Sequence, residues 1–355
     1  MNIYVLNKSL ERIGIIDGYA SIIWTNRYYG CGDFELYLQA TPELIGILHE
    51  DFYIVREGKE TNAMIIESIS ITTDPENGNY LTVKGRCLKS IIYRRIIWEQ
   101  TSLTGKIPTC ILRLLDENII SPALPERKIT GFGISNMVDT AETMDAQYTG
   151  DNLGDAITAI CQSYGLGWDV VLDLDNKKFL FVLYAGTDRS YNQTEKPWVV
   201  FSNEYENLLN TSYTYDKSTY ANVAQVAGEG EGAAMRLYTV GTAADLERYE
   251  AYVDARDVSS NEGELTDAEY NAQLEERGLE KLAEQTYAQT FDGETVDYTY
   301  KYGVDYFLGD IVEVVNEYGM QASTRVIEVI ESEDDSGIYT IPTFSSYISP
   351  YNDKK

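Results

Sequence analysis

Hydrophobic positions in the first ninety residues recur mostly at every second place. The chain opens on the run Ile3, Tyr4, Val5 and Leu6, and Phe34, Leu36 and Leu38 then alternate with Glu35, Tyr37 and Gln39. A period of two predicts strands with one buried face. Thr41 can cap and Pro42 can open a short helix carrying Leu44, Ile45 and Leu48. The runs FYIVREG, AMIIESISITT and YLTVKG follow as strands, with Asn77-Gly78 as the hairpin signal between the last two. Residues 1–98 are therefore expected to form a small β-barrel-like domain.

The period changes over residues 99–198. Ile107, Ile111, Leu114 and Leu115 share one helical face, and residues 151–164 repeat the pattern with Leu153, Ile157, Ile160, Cys161 and Tyr164 before Gly165 stops the helix. The segment WDVVLDLDNKKFLFVLY predicts a hairpin around Asp175-Asn176, which makes this unit α+β.

Strand patterning returns over 199–228 and again over 290–348, with turns at Tyr318-Gly319 and Ser336-Gly337, and predicts a second barrel-like domain. Between the two halves, residues 229–289 differ in kind. The stretch from Glu229 to Glu284 holds fifteen acids against five bases, and Thr266 with Glu269 forms a capping box ahead of a helix faced by Tyr270, Leu274, Leu282 and Ala283. Gly278 costs that helix about 1 kcal/mol relative to Ala. The pattern is that of an acidic, helix-containing insertion, and residues 349–355 read as a loose tail. The expected class is mainly β with α+β parts: two β-barrel-like domains flanking an α+β domain.

Composition adds to this picture. With 355 residues, 44% of them hydrophobic, roughly two to three compact units are expected. Lys and Arg number 28 against 57 Asp and Glu, a formal charge of -29 that repels phosphate backbones and anionic lipid. The one dense basic stretch, Lys84, Arg86, Lys89, Arg94 and Arg95, fits a buried ion pair or subunit contact better than nucleic acid. Cys31, Cys87, Cys110 and Cys161 form no CxxC pair and suit a reducing compartment. No apolar run approaches the roughly 18 residues of a membrane span, and the N-terminus shows no signal core. The 29 tyrosines fit either subunit interfaces or half-buried strand faces.

Candidate chemistry is sparse. The single histidine, His49, follows the short helix, where a cation complements the dipole. Asp173, Asp175 and Asn176 lack the glycine and distal glutamate of a calcium loop. Gly228, Gly230 and Gly232 are interleaved with carboxylates that would repel phosphate. Among so many acids, paired carboxylates mean nothing without a cleft and one raised pKa. No catalytic, cofactor-binding or metal-ligating residue is assigned, and the chain is expected not to be an enzyme.

Five segments in order, FELYLQATPELIGILHEDFYIV, GRCLKSIIYRRIIW, FSNEYENLLNTSYTYDKSTYANVAQVAGEGEG, RYEAYVDARDV and VDYTYKYGVDYFLGDIVEVV, resemble the tail-tip or baseplate hub proteins of siphophages and related injection particles. The resemblance implies a homotrimer whose paired barrels imitate sixfold symmetry. Such a ring joins the tail tube or distal tail protein to tip, spike or fibre proteins, and DNA passes transiently through its lumen. It implies a virion-tail location after assembly in the bacterial host cytoplasm, and a turn at Gly309 and Asp310 entering the final barrel. With no lysin or fibre domain expected after residue 355, wall degradation would fall to another subunit. Charge clustering and aromatic density nominate Arg86, Arg94, Arg95, Tyr298 and Tyr300 as interface residues. The rival readings are a receptor- or glycan-binding tail protein and a tail-associated peptidoglycan hydrolase.

Overall fold

The computed structural model describes residues 2–74, 78–286, 288–295, 299–319 and 321–345. Asn77, Tyr298 and the 349–355 tail of the sequence analysis lie outside the described residues. The N-terminal unit comprises β1 (Ile3–Leu6), β2 (Arg12–Ile16), β3 (Ser21–Arg27), β4 (Asp33–Gln39), α1 (Pro42–Ile47), β5 (Tyr53–Arg56), β6 (Ala63–Asp74) and β7 (Gly78–Cys87). All seven strands pair antiparallel, in the order β2-β1-β5-β6-β7-β4-β3. The period of two in β4 is realised: Phe34, Leu36 and Leu38 are buried and enter a core with Ile22, Trp24, Ile54 and Val83. Thr41 caps α1 by accepting from the Leu44 amide at 3.2 Å, with Pro42 in the first turn.

The middle unit contains β8 (Thr101–Lys106), α2 (Ile107–Leu115), β9 (Phe132–Met137), β10 (Thr143–Tyr148), α3 (Leu153–Ser163), β11 (Gly167–Asp173) and β12 (Lys178–Tyr184). β8 pairs with β10, and β12 lies between β11 and, in parallel, β9. Ile107, Ile111, Leu114 and Leu115 of α2 are fully buried with Ile157, Ile160 and Cys161 of α3. The same core takes in Leu6, Val55, Ile65 and Leu88, so the middle unit is packed against one face of the N-terminal unit.

The C-terminal part holds β13 (Val200–Ser202), β14 (Leu208–Asp216), β15 (Val223–Ala227), β16 (Leu237–Val240), β17 (Glu250–Asp254), α4 (Asp267–Glu284), β18 (Ala288–Thr295), β19 (Ile311–Val315), β20 (Gln321–Asp334) and β21 (Gly337–Ser345). β14, β18, β21 and β20 pair in that order, and β20 continues onto β3. β20 is long enough to serve two neighbours on one edge: Gln321 to Arg325 pair with β19, and Glu328 to Asp334 pair with β3. The result is one thirteen-stranded sheet. The sequence expectation of barrel-like domains is corrected here. The architecture is mainly β with an α+β part, and among the described residues no strand pairing closes into a barrel, because the edge of β3 that could close the first unit is spent on β20.

Val223–Ala227, grouped by its pattern with the second β unit, instead forms a separate sheet with β16 and β17 beneath α4. The capping box at Thr266 and Glu269 is present. Tyr270 accepts from the Glu229 amide at 2.7 Å and donates to the Val258 carbonyl at 3.2 Å, closing the β15–β16 connection onto the helix. The other face of α4 meets the middle unit: Tyr164 donates to Glu276 at 3.0 Å, and the buried Tyr148 hydroxyl donates to Glu280.

Gly278, unfavourable by propensity, is required by packing. A Cβ there would lie 2.5 Å from Val240 Cγ2 and 2.9 Å from Val226 Cγ2, both on stiff side chains. Gly278→Ala gains about 1 kcal/mol of helix propensity but overpacks at a cost of about 1–3 kcal/mol. A net loss is expected, read as a lower urea midpoint.

Burial pushes the Glu280 carboxyl up to about 7, against the pull of Arg277. The folded state thus holds this proton more tightly than the unfolded chain, so stability is full below the ordinary value of 4.5 and falls as pH rises towards 7. Glu280→Gln should flatten the fall across that window and leave the protein more stable than the parent at pH 8, by on the order of 2–3 kcal/mol. Paired urea titrations at pH 5 and pH 8 measure this.

Candidate functional site

Where the three units meet, the chain is organised around Tyr28. Its side chain is fully buried, and four glycines from other segments approach it. The hydroxyl donates to the Gly165 carbonyl at 3.0 Å and accepts from the Gly186 amide at 3.3 Å. A Cβ on Gly167 or on Gly309 would stand 2.1 Å from the ring, and one on Gly186 would stand 1.8 Å from the Gly309 carbonyl oxygen. Tyr184 meets the ring edge-on at 5.4 Å, and the Arg325 guanidinium lies over it at 5.3 Å. The Tyr28 amide donates to Ile327, at the irregularity in β20 where pairing changes from β19 to β3.

The Gly309-Asp310 turn that the resemblance implied is present, with Gly309 at φ +93° and the Asp310 amide donating to the Phe307 carbonyl at 3.1 Å. It also joins units. Asp310 is buried and accepts from the Thr187 amide at 2.7 Å, Arg189 Nε at 2.8 Å and the Phe307 amide at 3.1 Å, tying the strap after β12 to the entry of β19.

Beside this knot lies a cavity of about 560 Å³ lined by Arg56, Lys59, Asp169, Tyr184, Tyr302 and Glu331, among others. Buried Arg56 of β5 donates to Glu331 of β20 at 2.7 Å and stacks over Trp24 at 4.4 Å, while Lys59 takes the other Glu331 oxygen. Burial raises the Glu331 pKa, and the two cations overcome it, so the carboxyl is held low. Burial raises Asp169 more than the Lys89 charge lowers it. The cavity therefore presents two acids with opposed shifts, the feature a two-acid hydrolase would need. Both Glu331 oxygens are already occupied by cations, an arrangement suited to holding β5 and β20 together.

Two surfaces face outward. Tyr191, Trp198, Val200, Tyr205, Thr299 and Tyr300 line an open groove of about 590 Å³, with half of Trp198 and 56% of Tyr205 exposed. Trp198 is held by donating to the Gln193 carbonyl at 2.8 Å and meets Tyr191 edge-on at 5.1 Å. The second surface is the sheet's pair of ends. β2 and β14 each have one strand partner among the described residues, and the solvent face of β2 shows Ile13 and Ile15.

A family model described as Siphovirus ReqiPepy6 Gp37-like protein matches residues 2–344. The chain belongs to this family. Three solved structures share the fold of this Gp37-like chain over nearly its whole length. The tail protein from Neisseria meningitidis MC58 aligns with TM-score 0.59 at 15% identity, covering 97% of this chain and 96% of its own. The 43 kDa tail protein of prophage MuSo2 from Shewanella oneidensis gives 0.58 at 12%, with 99% of each chain covered. Prophage tail protein gp18 from Listeria monocytogenes EGD-e gives 0.55 at 13%, covering 98% and 94%. At these identities the likeness speaks for the fold. No curated protein sequence matches.

The residues nominated from sequence do not converge on one site of this Gp37-like chain. Arg86 on β7 makes a two-pronged ion pair with Glu67 at 2.8 Å on each arm. Arg94 approaches Asp51 at 3.6 Å, and Arg95 donates to the Arg127 carbonyl at 3.0 Å. Tyr300 packs edge-on against Phe201 at 5.6 Å and lines the aromatic groove. Lys89, from the same basic stretch, is buried and donates to the carbonyls of Arg27 at 2.7 Å and Gly30 at 3.0 Å. His49 is exposed and touches the Gly46 carbonyl at 3.1 Å, and Asp173 with Asn176 forms the β11–β12 turn. Among the described residues, no group of three or more His, Cys, Asp or Glu side chains is placed to hold a metal ion, and no helix is long and apolar enough to cross a membrane. Tyr28, Gly167 and Gly186 escaped sequence reading because nothing local marks them, and Gly165 and Gly309 were expected only as a helix stop and a turn.

Tyr28→Phe should cost about 1 kcal/mol by leaving two part-buried backbone groups short of a partner. Gly309→Ala should cost more, since it adds a clash with the ring to strain at positive φ. Urea midpoints of the two variants against the parent check the order.

Proposed function

We propose that this chain is a non-catalytic structural subunit of a phage or phage-like tail tip. It acts as a baseplate hub in which three copies close into a ring between the tail tube or distal tail protein and the tip, spike or fibre proteins. The observation that carries the reading is the unclosed sheet. Among the described residues its main path ends at β2 and at β14, each with one strand partner, and an edge strand of this kind is a template for a strand from another chain. An edge at each end allows head-to-tail contact between copies, which closes when the rotation divides a full turn. In this reading the two β units, 1–98 and the strands of 199–216 with 290–348, form the wall of the ring through their shared sheet. The α+β unit 99–198 and the acidic insertion 229–289 decorate the ring. Family membership and the fold shared with three tail proteins support the same assignment.

Arg94, Arg95 and Tyr300 remain subunit-contact residues in this proposal, and Arg86 orders the adjoining strands through Glu67. A net charge of -29 suits a wall past which DNA or another payload slides without adhering. Assembly takes place in the host cytoplasm and residence is in the virion tail. A second reading, glycan binding, is favoured by one feature: the exposed rings of Tyr191, Trp198 and Tyr205 around an open groove. Thermal shifts with oligosaccharides that vanish in Trp198→Ala would mark it.

Light scattering across a concentration series should return a stable mass of three times 40.1 kDa, with rings in negative stain. Ile13→Lys with Ile15→Lys places two charges on the β2 face and should return the 40.1 kDa monomer with an unchanged circular dichroism spectrum. A parent protein that stays monomeric at every concentration contradicts self-assembly of the ring.

A further inference from the structure

The four cysteines read from sequence as scattered core residues are not equivalent in space. Cys31, in the β3–β4 connection, and Cys87, the last residue of β7, lie 56 positions apart in sequence, with their sulfurs in contact at 3.4 Å. Backbone pairing brings them together. Asp33 stands opposite Arg86 in the β4–β7 ladder, and one step further the Cys87 amide donates to the Gly32 carbonyl at 2.9 Å. Gly32 in turn donates its amide to Cys87 Sγ at 3.1 Å. Gly32 admits no side chain, since a Cβ would stand 2.2 Å from the Thr25 carbonyl oxygen, so the strand approach that aligns the thiols is fixed. Cys31 is partly exposed, and Cys87 is buried. Cys110 and Cys161 are buried free thiols, and the Cys110 sulfur faces its own helix entry at Gly105.

We propose that Cys31 and Cys87 are a dithiol site that a small-molecule disulfide oxidises to an intramolecular disulfide, stapling the β3–β4 connection to the end of β7. A disulfide has a sulfur separation of about 2.0 Å, so closure needs the two sulfurs to approach by little more than an ångström. The exchange runs in two steps. Cys31 loses its proton to solvent, its thiolate attacks one sulfur of the reagent, and one small thiolate leaves. Cys87 then gives up its proton and attacks Cys31 Sγ, breaking the mixed disulfide and expelling the second small thiol. Two protein thiols are oxidised, and one reagent disulfide is reduced to two thiols.

The surroundings assign the order. Cys31 has the access that the first step needs. In the reduced protein burial raises the Cys87 thiol, and the hydrogen bond from Cys31 helps lower it. Once Cys31 is bound in the mixed disulfide that bond is gone, and the nearby Lys89 charge and the Lys89 amide are what favour the resolving thiolate. The hydrogen bond to Cys87, together with burial, pushes Cys31 up, so the first step is the slow one. The staple closes next to Arg27, which bonds the Cys31 carbonyl at 2.8 Å and Glu328 of β20 at 2.6 Å. It therefore reinforces the seam between the two β units, and it needs neither a trimer nor a tail to form.

The test incubates the native, full-length reduced protein with oxidised glutathione, then unfolds it and counts thiols. Titratable thiols should fall from four to two, with the loss of two hydrogen masses and a tryptic peptide pair linked through Cys31 and Cys87. The oxidised form should melt several degrees higher, and dithiothreitol should reverse the gain. Cys87→Ser should stop at a glutathione adduct on Cys31. Four thiols still titratable after prolonged incubation, or a glutathione adduct on Cys31 that persists in the parent protein, would overturn the proposal.

Discussion

Tyr28 sets the terms on which the three units of this chain can meet. Its ring fills the space between β3, the strap that leaves β12 and the turn that enters β19, and those backbones come close enough that only glycine fits at Gly167, Gly186 and Gly309. A large buried ring offers wide contact area at small entropic cost, and its hydroxyl satisfies two backbone groups that no strand ladder reaches. Around it the polar links Arg56 to Glu331, Arg27 to Glu328 and Asp310 to Arg189 are arranged in pairs. The fusion of two β units into one sheet rests on this knot, because β20 changes neighbours beside it.

Local signals in the sequence were read well where the cause was local. The alternation in β4, the Thr41 and Thr266 caps, and the apolar face of α2 and α3 depend on residues a few positions apart, whereas the Gly309-Asp310 turn was expected from the family resemblance. What stayed hidden was the pairing of β3 with β20, some three hundred residues away, and with it the absence of a closed barrel. A strand's own pattern says which face is buried but not which strand lies at its edge. Gly278 shows the same limit. Propensity marks it as a flaw in a helix, and only the neighbouring Val226 and Val240 reveal it as the reason the helix can lie against its sheet. Likewise Cys31 and Cys87 became a pair only through the β4–β7 register.

The site reading follows from the same geometry. Arg86, Arg94 and Arg95 make ion pairs and carbonyl contacts within the chain, and the outward-facing features described above are strand edges and an aromatic groove. Among the described residues the sheet ends without closing, and in the proposed reading other copies complete it. The large negative charge fits the same role, because it favours neither nucleic acid nor anionic membrane as a lasting partner.

The central claim is that the edges of β2 and β14 are filled by neighbouring copies, and amide hydrogen exchange at those strands tests it directly. Exchange should be followed at residues 12–16 and 208–216 across a dilution series. The account predicts protection of both segments at high concentration, lost together on dilution while the β6–β7 ladder stays protected. Equal exchange of both edges at every concentration, in a protein that nevertheless forms rings, would show that the ring is held by other surfaces and would contradict the account.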